Sequence, residues 1–261
     1  MKPHSIGAIN LLSPEEKKGI YYRVVPSALR EVFGLRPDLR DASGRPLARL
    51  QASAGSTDVV LDVRHALGAQ DPTLYAHLTD TINGQICVLL YVINDPRSSR
   101  YDVDRMPDGT PTVFGTSLRN IEAEEAALGD GLAPGQIRRG LGILRESVTT
   151  FEEFVASLGH EVFFIDPLFY HNAIIFEGYG FGYESGRRLM EEIDRGFSPG
   201  GDLDLKLDPG NPFRAPEAGL SVRGRSWSSQ DGILGVAYSG VTMYRHLGQD
   251  AALRTAAVTT W

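Results

Sequence analysis

Asn83-Gly84, set between two strand-like runs, constrains this chain more than any other short stretch. Leu74 to Ile82 and Gln85 to Ile93 have strand composition, and Asn-Gly is the dipeptide favoured in two-residue type I′ turns, whose central positions both need positive φ. The expected unit is therefore an antiparallel hairpin with His77 opposite Leu90, Thr79 opposite Val88 and Asp80 opposite Cys87. The second arm, Ile86 to Ile93, is apolar on both faces, which is the pattern of a strand covered on both sides. Cys87 lies in this run and reads as a buried thiol rather than a nucleophile.

Other elements follow from local signals. Ser13-Pro14-Glu15-Glu16 has an N-cap residue, proline at the first helical position and acids suited to the positive helix end. A helix over Ser27 to Phe33 should stop at Gly34, a polar turn occupies 41–46, and Val59 to His65 alternates as a strand. Residues 95–117 form a long loop, and Glu122 to Leu128 a short helix. Ile137, Leu141, Leu144, Val148, Phe151, Val155 and Leu158 mark one apolar stripe closed by Gly159. Thr150 to Glu153 fits a capping box, so a break near Thr149 is an alternative. Glu161 to Asp166 is a strand, Asn172 to Glu177 a helix, and Arg187 to Arg195 another, with Leu189 and Ile193 inward. Leu203, Leu205 and Leu207 alternate with charged residues as one half-exposed strand. A loop covers 209–219, and Trp227 to Leu247 is expected to be rich in strands.

With 261 residues, the chain can bury a sizeable core without disulfides or metals. Its single cysteine excludes an internal disulfide and fits a cytoplasmic address. A net charge of −7 argues against a general nucleic-acid binder. No apolar run reaches the length of a bilayer span, so no membrane partner is expected. The expected partner is a small-molecule substrate, and a homo-oligomer is compatible with the sequence.

Arg138-Arg139-Gly140-Leu141-Gly142 precedes the long apolar stripe. Glycines at a helix N-terminus let backbone N–H groups approach a diphosphate, and the helix dipole adds a favourable potential. The alternative is that Gly140 and Gly142 serve a close packing contact. After the helix and the strand to Asp166 comes Asn172-Ala-Ile-Ile-Phe-Glu-Gly-Tyr-Gly-Phe181.

Over residues 136–181 this order resembles the acetyl-CoA-binding half of the GCN5-related N-acetyltransferase superfamily. Asn172, Ala173, Phe176, Glu177, Gly180 and Phe181 fall at suitable places of its last motif. The resemblance implies an α/β fold of the acyl-CoA N-acyltransferase type, with a mixed, mostly antiparallel central sheet flanked by helices and a C-terminal elaboration. The domain would cover 1–197, and the elaboration 198–261. It implies acyl transfer to a small amine from acetyl-CoA or another acyl-CoA as co-substrate. Gln136, Arg138, Arg139, Gly140, Gly142 and Asn172 would bind that co-substrate. Ile137 stands where the family usually has Gln or Arg, with Gln136 one place earlier, and Phe176 takes the slot of its tyrosine acid. Tyr170 or Tyr179, or a water, would then supply the proton. The alternative is a non-catalytic ligand-binding or structural protein that retains the fold.

Independently of that resemblance, His77 sits on a strand face where a neutral imidazole could take a proton from an amine, and His65 ends the neighbouring strand. His160, Glu161, Asp166, His171 and Glu177 are the densest group of potential metal ligands, but their spacing matches no metal motif. No metal is expected. A metal-dependent enzyme built on His160 or His171 is the remaining alternative. Asp202, Asp204 and Asp208 read as a solvated strand face. The serines at 226, 228 and 229 lack a nucleophile elbow, and Arg223 to Trp227 reads as a polar turn.

Overall fold

The computed structural model describes residues 3–112, 118–258 and 260–261. In chain order the elements are α1 (Ile6–Ile9), α2 (Pro14–Tyr21), α3 (Ser27–Phe33), β1 (Ala48–Gln51), β2 (Asp58–Val63), β3 (Leu74–Asp80) and β4 (Ile86–Ile93). They continue with α4 (Ile121–Gly129), α5 (Leu144–Ser157), β5 (Val162–Ile165), α6 (Tyr170–Gly178), β6 (Gly182–Ser185), α7 (Arg187–Gly196), α8 (Val222–Gln230) and β7 (Thr242–His246). The fold is α/β, with a seven-stranded, mostly antiparallel sheet in the order β1-β2-β3-β4-β5-β7-β6. β1 to β4 pair antiparallel in sequence order, whereas β4 and β5 are parallel. Two compact units emerge, one of residues 1–97, 140–166 and 244–250, the other of 98–139, 167–243 and 251–261. Among the described residues no helix is long and apolar enough to cross a membrane.

The first unit is built on alternation. Val59, Leu61 and Val63 of β2 are buried, as are Leu74, Ala76 and Leu78 of β3, so period-two patterning supplies one core face. α5 and its C-cap residue Leu158 supply an apolar stripe with Phe151, Phe154 and Val155, and the Phe151 ring meets Phe163 of β5 at 4.9 Å. At the N-terminus, Asp80 accepts the backbone N–H groups of Ile6 and Gly7 at 2.7 and 2.8 Å, which ties the short α1 to the end of β3. α2 starts behind Ser13 and α3 stops at Gly34 as expected; the structure adds a capping box between Ser13 and Glu16 and a left-handed Gly34.

The hairpin forms, but its turn differs from the expected one. Thr81 N–H donates to Gln85 O at 2.7 Å, so the loop holds three residues, Ile82-Asn83-Gly84. Only Gly84 has positive φ, +73°. A three-residue loop of this kind puts one glycine in the left-handed region, and the Thr81 hydroxyl closes it by accepting Gln85 N–H at 3.1 Å. The extra loop residue moves the register by one: Asp80 faces Ile86 and Thr79 faces Cys87, rather than Cys87 and Val88. A β-bulge at Leu89 then restores the expected pairing of His77 with Leu90.

Further corrections concern helices and the C-terminal third. α5 starts at Leu144, leaving Ile137 and Leu141 in the preceding loop, and runs unbroken through Thr150. α7 turns Met190 rather than Leu189 fully inward beside Ile193. The Leu203-to-Leu207 alternation is a 3-10 turn, Asp204–Lys206. Leu203 N–H and Leu205 N–H donate to Gly196 O and Gly201 O at 3.0 Å each, so the chain closes on the end of α7. A Cβ on Gly201 would collide with Gly196 O, an approach only glycine permits. Trp227 lies in a helix, not a strand: Ser221 caps α8 by accepting Gly224 N–H at 2.9 Å. The Trp227 indole donates to Leu132 O at 2.9 Å within a core of Val103, Ala127, Leu132 and Phe213.

Asp80→Ala removes two charge-assisted bonds to backbone N–H groups and should cost about 2 kcal/mol. Equilibrium urea unfolding of the two proteins checks this, and a change below about 0.5 kcal/mol would show that α1 is held by packing alone.

Candidate functional site

The site of interest in the first unit begins with the bulge. Leu89 is the extra residue of β4, because Leu78 faces Val88 and His77 faces Leu90. On the other side, the pairing with β5 ends at Val88 and Ile165, one residue earlier. A bulge takes one residue out of the ladder and bends the strand. The strand therefore changes direction where its parallel neighbour stops. From Leu89 to Ile93 the apolar side chains are only half-buried, although the run is apolar enough for a covered strand.

In open α/β sheets, ligands bind outside the carboxyl ends of parallel strands. Here that end of β4 meets the loop that enters α5. A Cβ on Gly140 would lie 3.3 Å from Ile93 O, so this glycine permits a close backbone approach. Gly142 has φ +73° and turns the chain into α5. No side chain caps that helix: Ile143 occupies the N-cap position and makes no capping bond. Gly140 and Gly142 are both exposed.

His77 is half-buried on the more open face of β3, with Nε2 3.5 Å from Asp58 Oδ1. Its register partner, Leu90, is the residue next to the bulge. The structure thus places His77, Gly140 and Gly142 in one unit. Gln136, Arg138, Arg139, Asn172 and Tyr179 belong to the other. Within it, Gln136 Oε1 accepts Ala133 N–H at 2.7 Å. The Arg138 guanidinium donates to Ser98 O, and that of Arg139 to Asp130 O at 2.8 Å. Tyr179 is the half-buried C-cap residue of α6.

Asn172 Nδ2 lies 3.0 Å from His171 Nε2, and Ser226 Oγ lies 2.8 Å from His171 Nδ1. With Asn172 donating to Nε2, the imidazole proton sits on Nδ1 and points at the serine oxygen. Ser226 is therefore an acceptor here rather than an activated nucleophile. His160 is an exposed residue of the first unit whose Nε2 contacts His4 O. Among the described residues no group of three or more His, Cys, Asp and Glu could hold a metal ion. Burial pushes the Cys87 thiol up to about 12, with Asp166 adding to the effect, so it is no thiolate nucleophile at neutral pH.

Glu177 is buried and satisfied. Tyr183 OH donates to it at 2.6 Å, the Thr255 hydroxyl also bonds it, and Thr255 N–H adds a third donor at 3.1 Å. Phe176 packs on Phe181 at 5.1 Å. This motif thus anchors the C-terminal segment to α6.

Sequence reasoning missed the bulge. Val88, Leu89 and Leu90 are all apolar, so an extra residue leaves no mark in the hydrophobic pattern. The available signal was Thr81, whose hydroxyl favours the longer loop and so changes the parity of the second arm. Comparison of the chain with family models, with curated proteins and with solved structures finds no match.

Burial lowers the His171 pKa from 6.5 to about 3. The unfolded chain takes up this proton near 6.5 and the folded one does not, so stability contributed by the neutral imidazole is lost as pH falls from about 6.5 toward 3. Urea unfolding at pH 7 and pH 5 should show wild type losing about 2 kcal/mol more than His171→Gln over that interval. Parallel losses would mean that the imidazole is protonated in the folded protein.

Proposed function

We propose that this chain is an acyl-CoA-dependent N-acyltransferase for a small amine, on a fold of the acyl-CoA N-acyltransferase type. The observation that carries the reading is the bulge at Leu89, one residue beyond the last β4–β5 pair, with a glycine-bearing loop and an uncapped helix at the same end of β4. A thioester laid along the half-buried apolar edge from Leu89 to Ile93 would put its carbonyl oxygen near the backbone N–H groups of the bulge. The diphosphate would meet the backbone of Gly140 to Leu144, where the helix potential favours an anion.

In the reaction, the amine nitrogen attacks the thioester carbonyl carbon. The C–N bond forms, the C–S bond breaks, and CoA leaves as its thiolate, which then takes up a proton. The surplus proton on the amine passes to His77 or to water. A bulge N–H aimed at the developing oxyanion would contribute roughly a hundredfold in rate.

Calorimetry with acetyl-CoA and a longer acyl-CoA tests the reading. Wild type should bind one equivalent with a Kd on the order of 10 μM. Gly142→Asp should weaken binding at least about tenfold, since a side chain at φ +73° strains the turn and its charge opposes the phosphates. Millimolar or absent binding by wild type removes the acyltransferase reading. Binding with no release of free thiol across a broad amine panel favours a protein that keeps the fold and not the chemistry, in line with Phe176 at the acid's slot.

A further inference from the structure

α2, the turn after it, α3 and the start of β1 enclose a cleft of about 840 Å3 in the first unit. Its charged lining is Lys18, Arg23, Arg30 and Arg40 against Glu15 and Asp38. The rest is largely apolar or aromatic: Tyr22, Pro37, Pro46 and Ala48. A second hollow, of about 290 Å3, is lined by Ser27, Thr150 and Glu153 together with the same Arg23 and Arg30. The two arginines are thus the wall common to both.

The ion pairs within the larger cleft are unevenly satisfied. Lys18 Nζ bonds Glu15 at 2.7 Å, and Arg40 Nε lies 3.6 Å from Asp38. Among the described residues Arg23 and Arg30 form no ion pair with a carboxylate. Arg23 donates through Nε to Gly19 O at 3.1 Å, and among the described residues Arg30 makes no side-chain hydrogen bond. Glu146, the acid whose field Arg30 feels, is already held by Ala28 N–H and the Ser27 hydroxyl, each at 2.8 Å. Two guanidiniums therefore border one concave site with donors unused, in a chain whose net charge is −7.

We infer that this cleft binds a small organic phosphate, its phosphoryl oxygens held by Arg23 and Arg30. Guanidinium is a planar fork suited to bidentate phosphate contacts. The volume is that of a small-molecule pocket, and such sites combine apolar walls with a few convergent polar groups. Tyr22, Pro37 and Pro46 supply the walls for the organic part. Glu15 and Asp38 of the larger cleft are paired with Lys18 and Arg40, whereas Glu153 of the smaller hollow forms no ion pair among the described residues, so an anion is favoured on the larger side. The site is separate from the glycine loop at the end of β4 and does not depend on the acyltransferase reading.

Calorimetry with inorganic pyrophosphate, AMP and adenosine, on the whole protein, provides the test. Pyrophosphate and AMP should bind saturably at one site below about 1 mM, and adenosine at least about tenfold more weakly. Arg30→Gln and Arg23→Gln should each weaken AMP at least about tenfold, while Arg36→Gln, outside the cleft, should leave it unchanged. Arg23 is exposed, so its variant carries the result if Arg30→Gln fails to fold. Gly142→Asp must retain the binding. Phosphate binding that is lost in Gly142→Asp and kept in both arginine variants belongs to the glycine loop and overturns the proposal. Absence of binding by both phosphates at about 5 mM overturns it as well.

Discussion

Parallel pairing of β4 with β5 at Cys87–Phe164 and Val88–Ile165 organises the first unit. Two parallel strands cannot be joined by a tight turn, so the chain must cross back before β5 begins. In this protein the crossover spans residues 94–161 and ends in α5. The return path brings the loop at Gly140 to Gly142 to the carboxyl end of β4, where Gly140 lies against Ile93 O. A helix N-terminus, a close backbone approach and a strand end meet there because of one pairing direction.

That same strand carries two irregularities with one net effect. The three-residue loop at 82–84 shifts the hairpin by one residue, and the bulge at Leu89 shifts it back. Between them, Ile86 to Val88 face different partners from those a two-residue turn would give. Beyond them the pairing is the same. A single slip along a strand exchanges its two faces, so the compensation keeps the ladder in phase through Ile93. Its cost is a disrupted ladder at Leu89, beside the end of β5.

The second unit is held differently. Buried polar groups contribute to its specificity: Arg225 is almost fully buried, pairs with Asp194 at 2.6 Å and donates to Gly219 O at 2.8 Å. Arg119 joins Glu124 and Asp231, and Arg214 shares Asp231 at 2.7 Å. Removing one member of such a set leaves a buried charge without its partner, which costs more than the pair contributes. These networks join residues far apart in sequence, so they set the arrangement of segments that have little periodic patterning of their own.

What the sequence alone determined is local. The helix capped at Ser13, the helix from Ser27 that stops at the left-handed Gly34, the two arms of the hairpin, and the stripe of α5 each rest on residues within one or two turns of each other. Propensity, capping and periodicity act over that range. The resemblance over 136–181 rests on the same local order of glycine loop, helix, strand and aromatic corner. Tertiary structure decided the rest. It took Ile137 and Leu141 out of the helix, because the loop there turns through Gly142 before α5 starts. It made a 3-10 turn of Leu203 to Leu207, whose N–H groups close on Gly196 and Gly201, and a helix of the segment at Trp227, whose indole needed the Leu132 carbonyl. It also assembled the arginine cleft from α2, α3 and β1. Short alternations and isolated charges carry too little free energy to choose a conformation alone. Partners distant in the chain choose for them.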